Sequence, residues 1–230
     1  MKKISRCTLG FALAATIGAS AGPTVMAKPP AQGGNAVTLA AQPGSVTFGR
    51  AVTLTGQLTG SGNSGVSVTL QENPAPYTGG FKNVPGLAGA TTDPNGNFAF
   101  PNVAPQLNTR YQAVVKKPKA TSAAKQLNVR VAVTRRVSKA TLGSPGRVRF
   151  SGVVRPVHDA KVVRIQRRTA SGKWRTVAKT VTKPSSPTES KYSKRVRIPS
   201  TGTYRVRVIP ADGDHVTGNS ARKKIRVATP

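Results

Sequence analysis

Acidic residues are nearly missing from this chain: six Asp and Glu stand against 36 Lys and Arg in 230 residues, for a formal charge of +30. Cysteine, tryptophan and histidine are scarcer still, with one, one and two copies. Each shortage excludes something. The one cysteine, Cys7, precedes an apolar segment, so it cannot be the lipid-modified cysteine that follows one. Once that segment is removed, the chain has no disulfide, thiol nucleophile or cysteine metal ligand. Few and scattered acids and histidines disfavour paired-carboxylate and triad chemistry, and no G-x-S-x-G, H-E-x-x-H or phosphate-loop motif occurs. No catalytic residue, cofactor or metal ligand set is assigned, and the chain is not expected to be an enzyme.

What is present begins with an export signal. Lys2, Lys3 and Arg6 precede the small, apolar run Leu9–Ala21, the basic and hydrophobic regions of a secretory signal peptide. The run is shorter than the ~20 residues of a spanning helix, and no later run is long enough. Small-x-small cleavage sites follow Ala21 and Ala27; the second leaves Lys28-Pro29-Pro30 at the head of a flexible segment. The expectation is a secreted protein, extracellular or cell-wall associated, with a signal peptide over 1–27 and a linker over 28–37.

The remaining chain matches itself. Gly49-Arg50-Ala51-Val52-Thr53-Leu54-Thr55-Gly56 aligns with Pro145-Gly146-Arg147-Val148-Arg149-Phe150-Ser151-Gly152, Val68–Gln71 with Val163–Gln166, Phe98 with Tyr192, Tyr111–Val114 with Tyr204–Arg207, and Ser122–Val129 with Ser220–Val227. The matches keep their order, which marks an internal repeat. Apolar and polar residues alternate with period two in both copies, the pattern of half-buried strands. Strands are expected near Ala36–Ala40, Ala51–Gln57, Val66–Glu72, Asn97–Pro101, Tyr111–Val115 and Gln126–Val131. The second copy repeats them at Arg147–Ser151, Val162–Arg167, Trp174–Val181, Lys191–Ile198, Tyr204–Ile209 and Ala221–Val227. Turn signals such as Asp93-Pro94-Asn95-Gly96 and Ser171-Gly172 separate them. Six or seven short strands per ~95 residues predict an all-β chain of two tandem immunoglobulin-like β-sandwich domains, over 38–133 and 134–230. Val131–Val137 carries the chain between them without a Gly/Pro/Ser linker, so the tandem should be stiff.

Several of these segments resemble a family. Val163–Arg168 with Gly172-Lys173-Trp174-Arg175-Thr176-Val177, the strand-closing Gly56 and Gly152, and Thr203–Val208 resemble the immunoglobulin-like and fibronectin type III-like repeats of secreted proteins from high-GC Gram-positive bacteria. Thr92–Phe98 resembles the turn of carboxypeptidase-regulatory-like sandwiches. The resemblance covers residues 38–229 and implies adhesive, spacer or accessory modules. The first copy departs from it, with Phe81 in place of the tryptophan.

Charge is uneven: 24 of the 36 basic residues lie in 134–230, with four of the six acids. Such an excess attracts polyanions, which for an exported protein means an anionic cell-wall polymer or an anionic membrane surface. Period-two geometry puts Arg164, Arg205, Arg207, Lys224 and Arg226 on one outer face, the candidate polyanion-binding set. Arg147, Arg149, Arg195 and Arg197 fall on the other. No aromatic residue is expected among these arginines, which argues against stacking on single-stranded nucleic acid, and export argues against a specific nucleic-acid role. Arginine's fork suits phosphate and carboxylate. Trp174 is the candidate carbohydrate contact, against a structural packing role. Tyr111 and Tyr204 are expected to tie their hydroxyls to backbone as tyrosine corners. His158-Asp159 reads as a turn, and Asp212-Gly213-Asp214-His215 as a polar surface loop, with a cation site or acid–base chemistry as the rival reading of the latter cluster. Function is thus expected to be binding or adhesion at the envelope; a spacer without a ligand, a carbohydrate-binding accessory protein and a hydrolase are the rivals.

Overall fold

In the computed structural model of the chain, residues 34–228 are described. The expected signal peptide lies outside the described residues, as does linker segment 28–33; the rest of that linker is already strand from Ala36. Every regular element among the described residues is a β-strand, so the fold is all-β. The alternation that predicts strands is the alternation that buries them. In Val52–Thr59, Val52, Leu54 and Leu58 turn inward while Thr53, Thr55 and Gln57 are exposed or half-buried.

Four sheets pack in two pairs, each around its own apolar core. In the first pair, Ala36–Ala41, Val52–Thr59 and Asn97–Val103 form one sheet, and Ser45–Thr47, Lys125–Arg130, Thr109–Val115, Ser67–Pro74 and Lys82–Asn83 form the other. Leu54, Leu58, Phe100, Tyr111 and Leu127 fill the space between. In the second pair, Ala132–Val133, Gly146–Arg155, Glu189–Ile198 and Lys183–Ser186 face Thr141–Leu142, Lys223–Val227, Gly202–Ile209, Val162–Arg168 and Trp174–Val181. Phe150, Ile165, Ile198, Tyr204 and Ile225 fill that core.

The internal repeat has three-dimensional counterparts. In both pairs a short early strand adds in parallel to the last one, Ser45–Thr47 to Lys125–Arg130 and Thr141–Leu142 to Lys223–Val227. Gly56 sits opposite Phe98, and Gly152 opposite Tyr192. A Cβ at Gly56 would overlap the Thr38 carbonyl and the Phe98 ring; at Gly152 it would overlap the Thr134 carbonyl and reach within 2.8 Å of the Tyr192 hydroxyl. The repeated glycine thus makes room for the repeated aromatic ring. Ser122 accepts the Ala113 N–H at 2.9 Å, and Ser220 accepts the Val206 N–H at 3.0 Å. The tyrosine-corner expectation fails. The Tyr111 hydroxyl lies beside the Thr109 and Glu72 side chains, and that of Tyr204 is buried without a partner. The hydroxyl that ties to backbone belongs to Tyr192, which donates to the Thr134 carbonyl at 2.7 Å. Period two predicts which residues point inward, but the reach of a hydroxyl depends on the chain lying beside it.

The two cores are joined directly. Val129 belongs to the first and Val131 to the second. Between them Arg130 forms a parallel bridge with Val216. The Val216 N–H bonds the Val129 carbonyl at 2.8 Å, and the Val131 N–H bonds the Val216 carbonyl at 3.2 Å. Asn108 locks the same seam: its amide donates to the Gly213 carbonyl at 2.7 Å and accepts the Val129 N–H at 2.8 Å, while its own N–H reaches the Asp214 carbonyl at 2.8 Å.

Gly56→Ala and Gly152→Ala each overfill a packed site, which costs about 1–3 kcal/mol. At this chain length that lowers Tm by about 2–4 °C per kcal/mol. Thermal unfolding followed by circular dichroism checks it; unchanged Tm values would show that the two glycines do not gate the aromatic packing.

Candidate functional site

Outside the core, the second pair of sheets carries the basic residues on two faces. On the first, the register of Gly146–Arg155 with Glu189–Ile198 places Arg147 directly opposite Arg197 and Arg149 opposite Arg195. All four are exposed. Residues paired across strands share a face, so Arg136 (opposite Ser151), Lys191 (opposite Val153) and Lys183 (opposite Lys191) belong to it too. One hollow of about 450 Å³ is lined by Ser138, Arg147, Arg149 and Arg195. A groove of about 710 Å³ beside it takes Arg136, Arg155, Lys183 and Lys191 into its walls. The acid on this face is Glu189, and it is held by Arg155 at 2.7 Å. The face therefore offers guanidinium and ammonium groups with almost no internal counter-charge.

The second face gathers the five residues proposed from sequence. Arg164 pairs with Arg207, and Lys224 with Thr203; Arg205 and Arg226 follow by period two. Lys179 extends the row on the other side of Arg164. These cations are less free than those of the first face. The Nε atoms of Arg164 and Arg207 are buried without partners. Arg205 donates to Gln166 at 2.9 Å. Burial, then the Arg207 and Arg222 charges beside it, pulls the Arg205 guanidinium below its usual pKa; it remains a cation at any working pH.

An aromatic ring does lie among these arginines, against expectation. Strict alternation would turn Trp174 inward, but Val177 is left unpaired between Ala178 (opposite Ile165) and Thr176 (opposite Gln166), and this bulge brings Trp174 opposite Arg168 on the outer face. One extra residue in a strand reverses the direction of those beyond it. Arg205 stacks on the indole at 4.2 Å, with Arg222 at 5.8 Å. The ring is half-buried under its own cations, so the face that a sugar or base would stack on is already engaged.

The Asp212–His215 segment is not the polar surface loop expected, and the turn at His158 lies as deep. His158 and His215 are each only 7% exposed, and their rings meet edge to face at 4.8 Å. Asp212 reaches His158 Nε2 at 3.1 Å and Lys161 at 3.6 Å. Burial, the largest influence on His215, holds its pKa below the usual value. Burial also works to raise the Asp212 carboxyl, but the His215 and Asp214 N–H groups with His158 and Lys161 outweigh it and leave it lowered. Sequence spacing could not bring together residues that lie more than fifty positions apart. The acidic stretch Asp93–Asn97 is closed on itself: Asp93 accepts the N–H groups of Asn95 and Asn97 at 2.8 Å each.

Set beside known proteins, the chain matches no family model and no curated protein. What its surface can bind therefore follows from its own residues.

Directly opposed like charges destabilise a sheet by about 0.2–1 kcal/mol per pair. Arg195→Thr with Arg197→Thr should accordingly raise Tm in low salt, and the gain should vanish near ~1 M salt, where screening acts within ~3 Å. A fall in Tm at low salt would show that these arginines are compensated on the folded surface.

Proposed function

We propose that the protein is a secreted, non-enzymatic binding module of the cell envelope. In this reading it is built from two tandem immunoglobulin-like, fibronectin type III-like sandwiches, and the C-terminal one holds a polyanion. The repeated glycine–aromatic pairs and the repeated parallel strand additions support the tandem. The observation that carries the binding role is the two-by-two array of Arg147, Arg149, Arg195 and Arg197. Such an array costs stability in the free protein and is relieved when phosphate or carboxylate groups settle between the guanidinium forks.

A polymer with regularly spaced anions suits an open, nearly flat face better than a single small anion does. The ligand class is an anionic cell-wall polymer or the headgroup layer of an anionic membrane, where each basic residue near the surface adds about 1 kcal/mol. The first face is the principal one, because its arginines lack the internal partners that occupy Arg205 and Trp174. The second face, with Arg164, Arg207, Lys224 and Arg226, extends the field.

Binding of the purified protein to poly(glycerol phosphate), and separately to vesicles containing anionic phospholipid, tests this. Log affinity should fall steeply with log salt between about 50 and 200 mM, as counterions are released. Neutralising Arg147, Arg149, Arg195 and Arg197 to serine should flatten that slope and weaken low-salt binding about tenfold or more. Binding that ignores both salt and these substitutions, or no binding at the lowest salt, would overturn the proposal.

A further inference from the structure

The seam between the two cores contains a second constellation, which the polyanion reading does not use. Two loops of the second pair of sheets meet there, Pro156–Lys161 and Pro210–Thr217, which flank the paired residues Val162 and Ile209 at one end of the same sheet. Both are firmly held. The His158 N–H bonds Ser190 Oγ at 2.8 Å, and the Thr182 hydroxyl donates to the His158 carbonyl. The Lys161 N–H bonds the Thr182 hydroxyl at 2.9 Å. Each loop also contains an alanine in the left-handed region, Ala160 at φ 57° and Ala211 at φ 53°. Alanine adopts that conformation only where its surroundings impose it.

The hydrogen bonds fix the tautomers. His158 Nδ1 lies 2.9 Å from the Pro156 carbonyl, and His215 Nε2 lies 2.8 Å from the Gln106 carbonyl. A carbonyl can only accept, so these nitrogens carry the protons. The neutral rings then keep bare lone pairs at His158 Nε2 and His215 Nδ1. His158 Nε2 faces an Asp212 carboxylate oxygen at 3.1 Å, a contact bridged by a hydrogen when the ring is protonated and open to a metal ion when it is neutral. His215 Nδ1 is fully enclosed and has no hydrogen-bond partner. Asp212 is itself aimed: its other oxygen accepts the N–H groups of Asp214 and His215 at 3.2 Å each. Two ring nitrogens and a carboxylate thus converge on one point, with the Lys161 ammonium 3.6 Å from Asp212.

We propose that His158, Asp212 and His215 form a site for a divalent transition-metal ion of the Zn²⁺ class, set in the seam between the two cores. Each residue offers one ligand atom, and the three atoms lie within 4.8 Å of one another. Tetrahedral Zn²⁺ with bonds near 2.0–2.2 Å needs ligand atoms about 3.3 Å apart, so the His158–Asp212 spacing already fits and His215 closes in by a side-chain adjustment. Imidazole nitrogen favours this class over Ca²⁺ and Mg²⁺, which prefer all-oxygen shells. The Pro156 and Gln106 carbonyls serve as the outer hydrogen-bond partners that orient metal-bound histidines. Gln106 lies in the loop between Asn97–Val103 and Thr109–Val115 of the first pair of sheets, and Phe48, packed on that core, meets His215 with ring centroids 6.0 Å apart. A bound ion therefore ties the second core's loops to the first core through His215. Lys161, part-exposed on the surface, swings away as the ion enters.

The test is calorimetric titration of ZnCl₂ into the metal-free protein, together with imidazole ¹⁵N spectra of the unmutated protein. The chain has two histidines, so the spectrum reports on the site directly and needs no variant that might misfold. The expected result is one ion per chain, with the His158 Nε2 and His215 Nδ1 signals moving on Zn²⁺ addition and the other two nitrogens staying protonated. His158→Ala, His215→Ala and Asp212→Asn should each weaken binding about tenfold or more, while Lys161→Met should tighten it. Zn²⁺ that moves neither ring's signals, that moves the protonated nitrogens instead, or that binds the His158→Ala protein as well as wild type would overturn the proposal.

Discussion

The structure depends on a single crossing: Asn108 and Val216 holding the turn Asp212–Val216 against the exit strand of the first core. An asparagine this deeply buried, at 5% exposure, is tolerated because its side-chain oxygen and nitrogen are both used. Losing such an amide leaves buried backbone groups unpaired, at about 1–3 kcal/mol each. The chain passes from one core to the other in the two steps from Val129 to Val131, and the close approach at Gly218 shows how tight the joint is. A Cβ there would strike the Val131 carbonyl. Both histidines are enclosed beside this crossing.

The same crossing bears on where the scarce acids go. In the second half of the chain, Glu189 pairs with Arg155, Asp159 accepts the Ser190 hydroxyl at 2.6 Å, and Asp212 turns into the seam. Among the described residues, the ion pairs of lysine and arginine side chains are Arg155–Glu189 and Lys161–Asp212. Negative charge is thus spent on holding loops, and the arginine rows are left to solvent or to a ligand. That division of labour separates the two proposed sites: one uses faces whose acid, Glu189, is already taken up by Arg155, the other uses Asp212, which is turned into the seam.

Much of this was legible in the sequence, for a physical reason. Strand position and facing follow from period two, so Trp174–Val181 is found at its expected bounds. The opposition of Arg147 with Arg197 follows from the same rule once the strands pair. The repeat also carried tertiary information, since Gly56 and Gly152 match in sequence and each faces the matched ring. What failed did so where one residue of register or a distant contact decides. The bulge at Val177 turned Trp174 outward, and no composition signal marks a bulge. Tyr192, not Tyr111 or Tyr204, found a backbone carbonyl. His158 and His215 read as loop residues because their neighbours in sequence are polar; their burial comes from Gln106, Phe48 and Thr182, which only the fold brings near.

The most direct test of the seam is a set of backbone residual dipolar couplings, measured on the protein in a weakly aligning medium. If Asn108 and Val216 lock the two cores together, couplings from strands around both cores fit one alignment tensor, with the cores oriented as those hydrogen bonds hold them. Two distinct tensors, one for each core, would contradict that account and remove the basis for a site built across the seam.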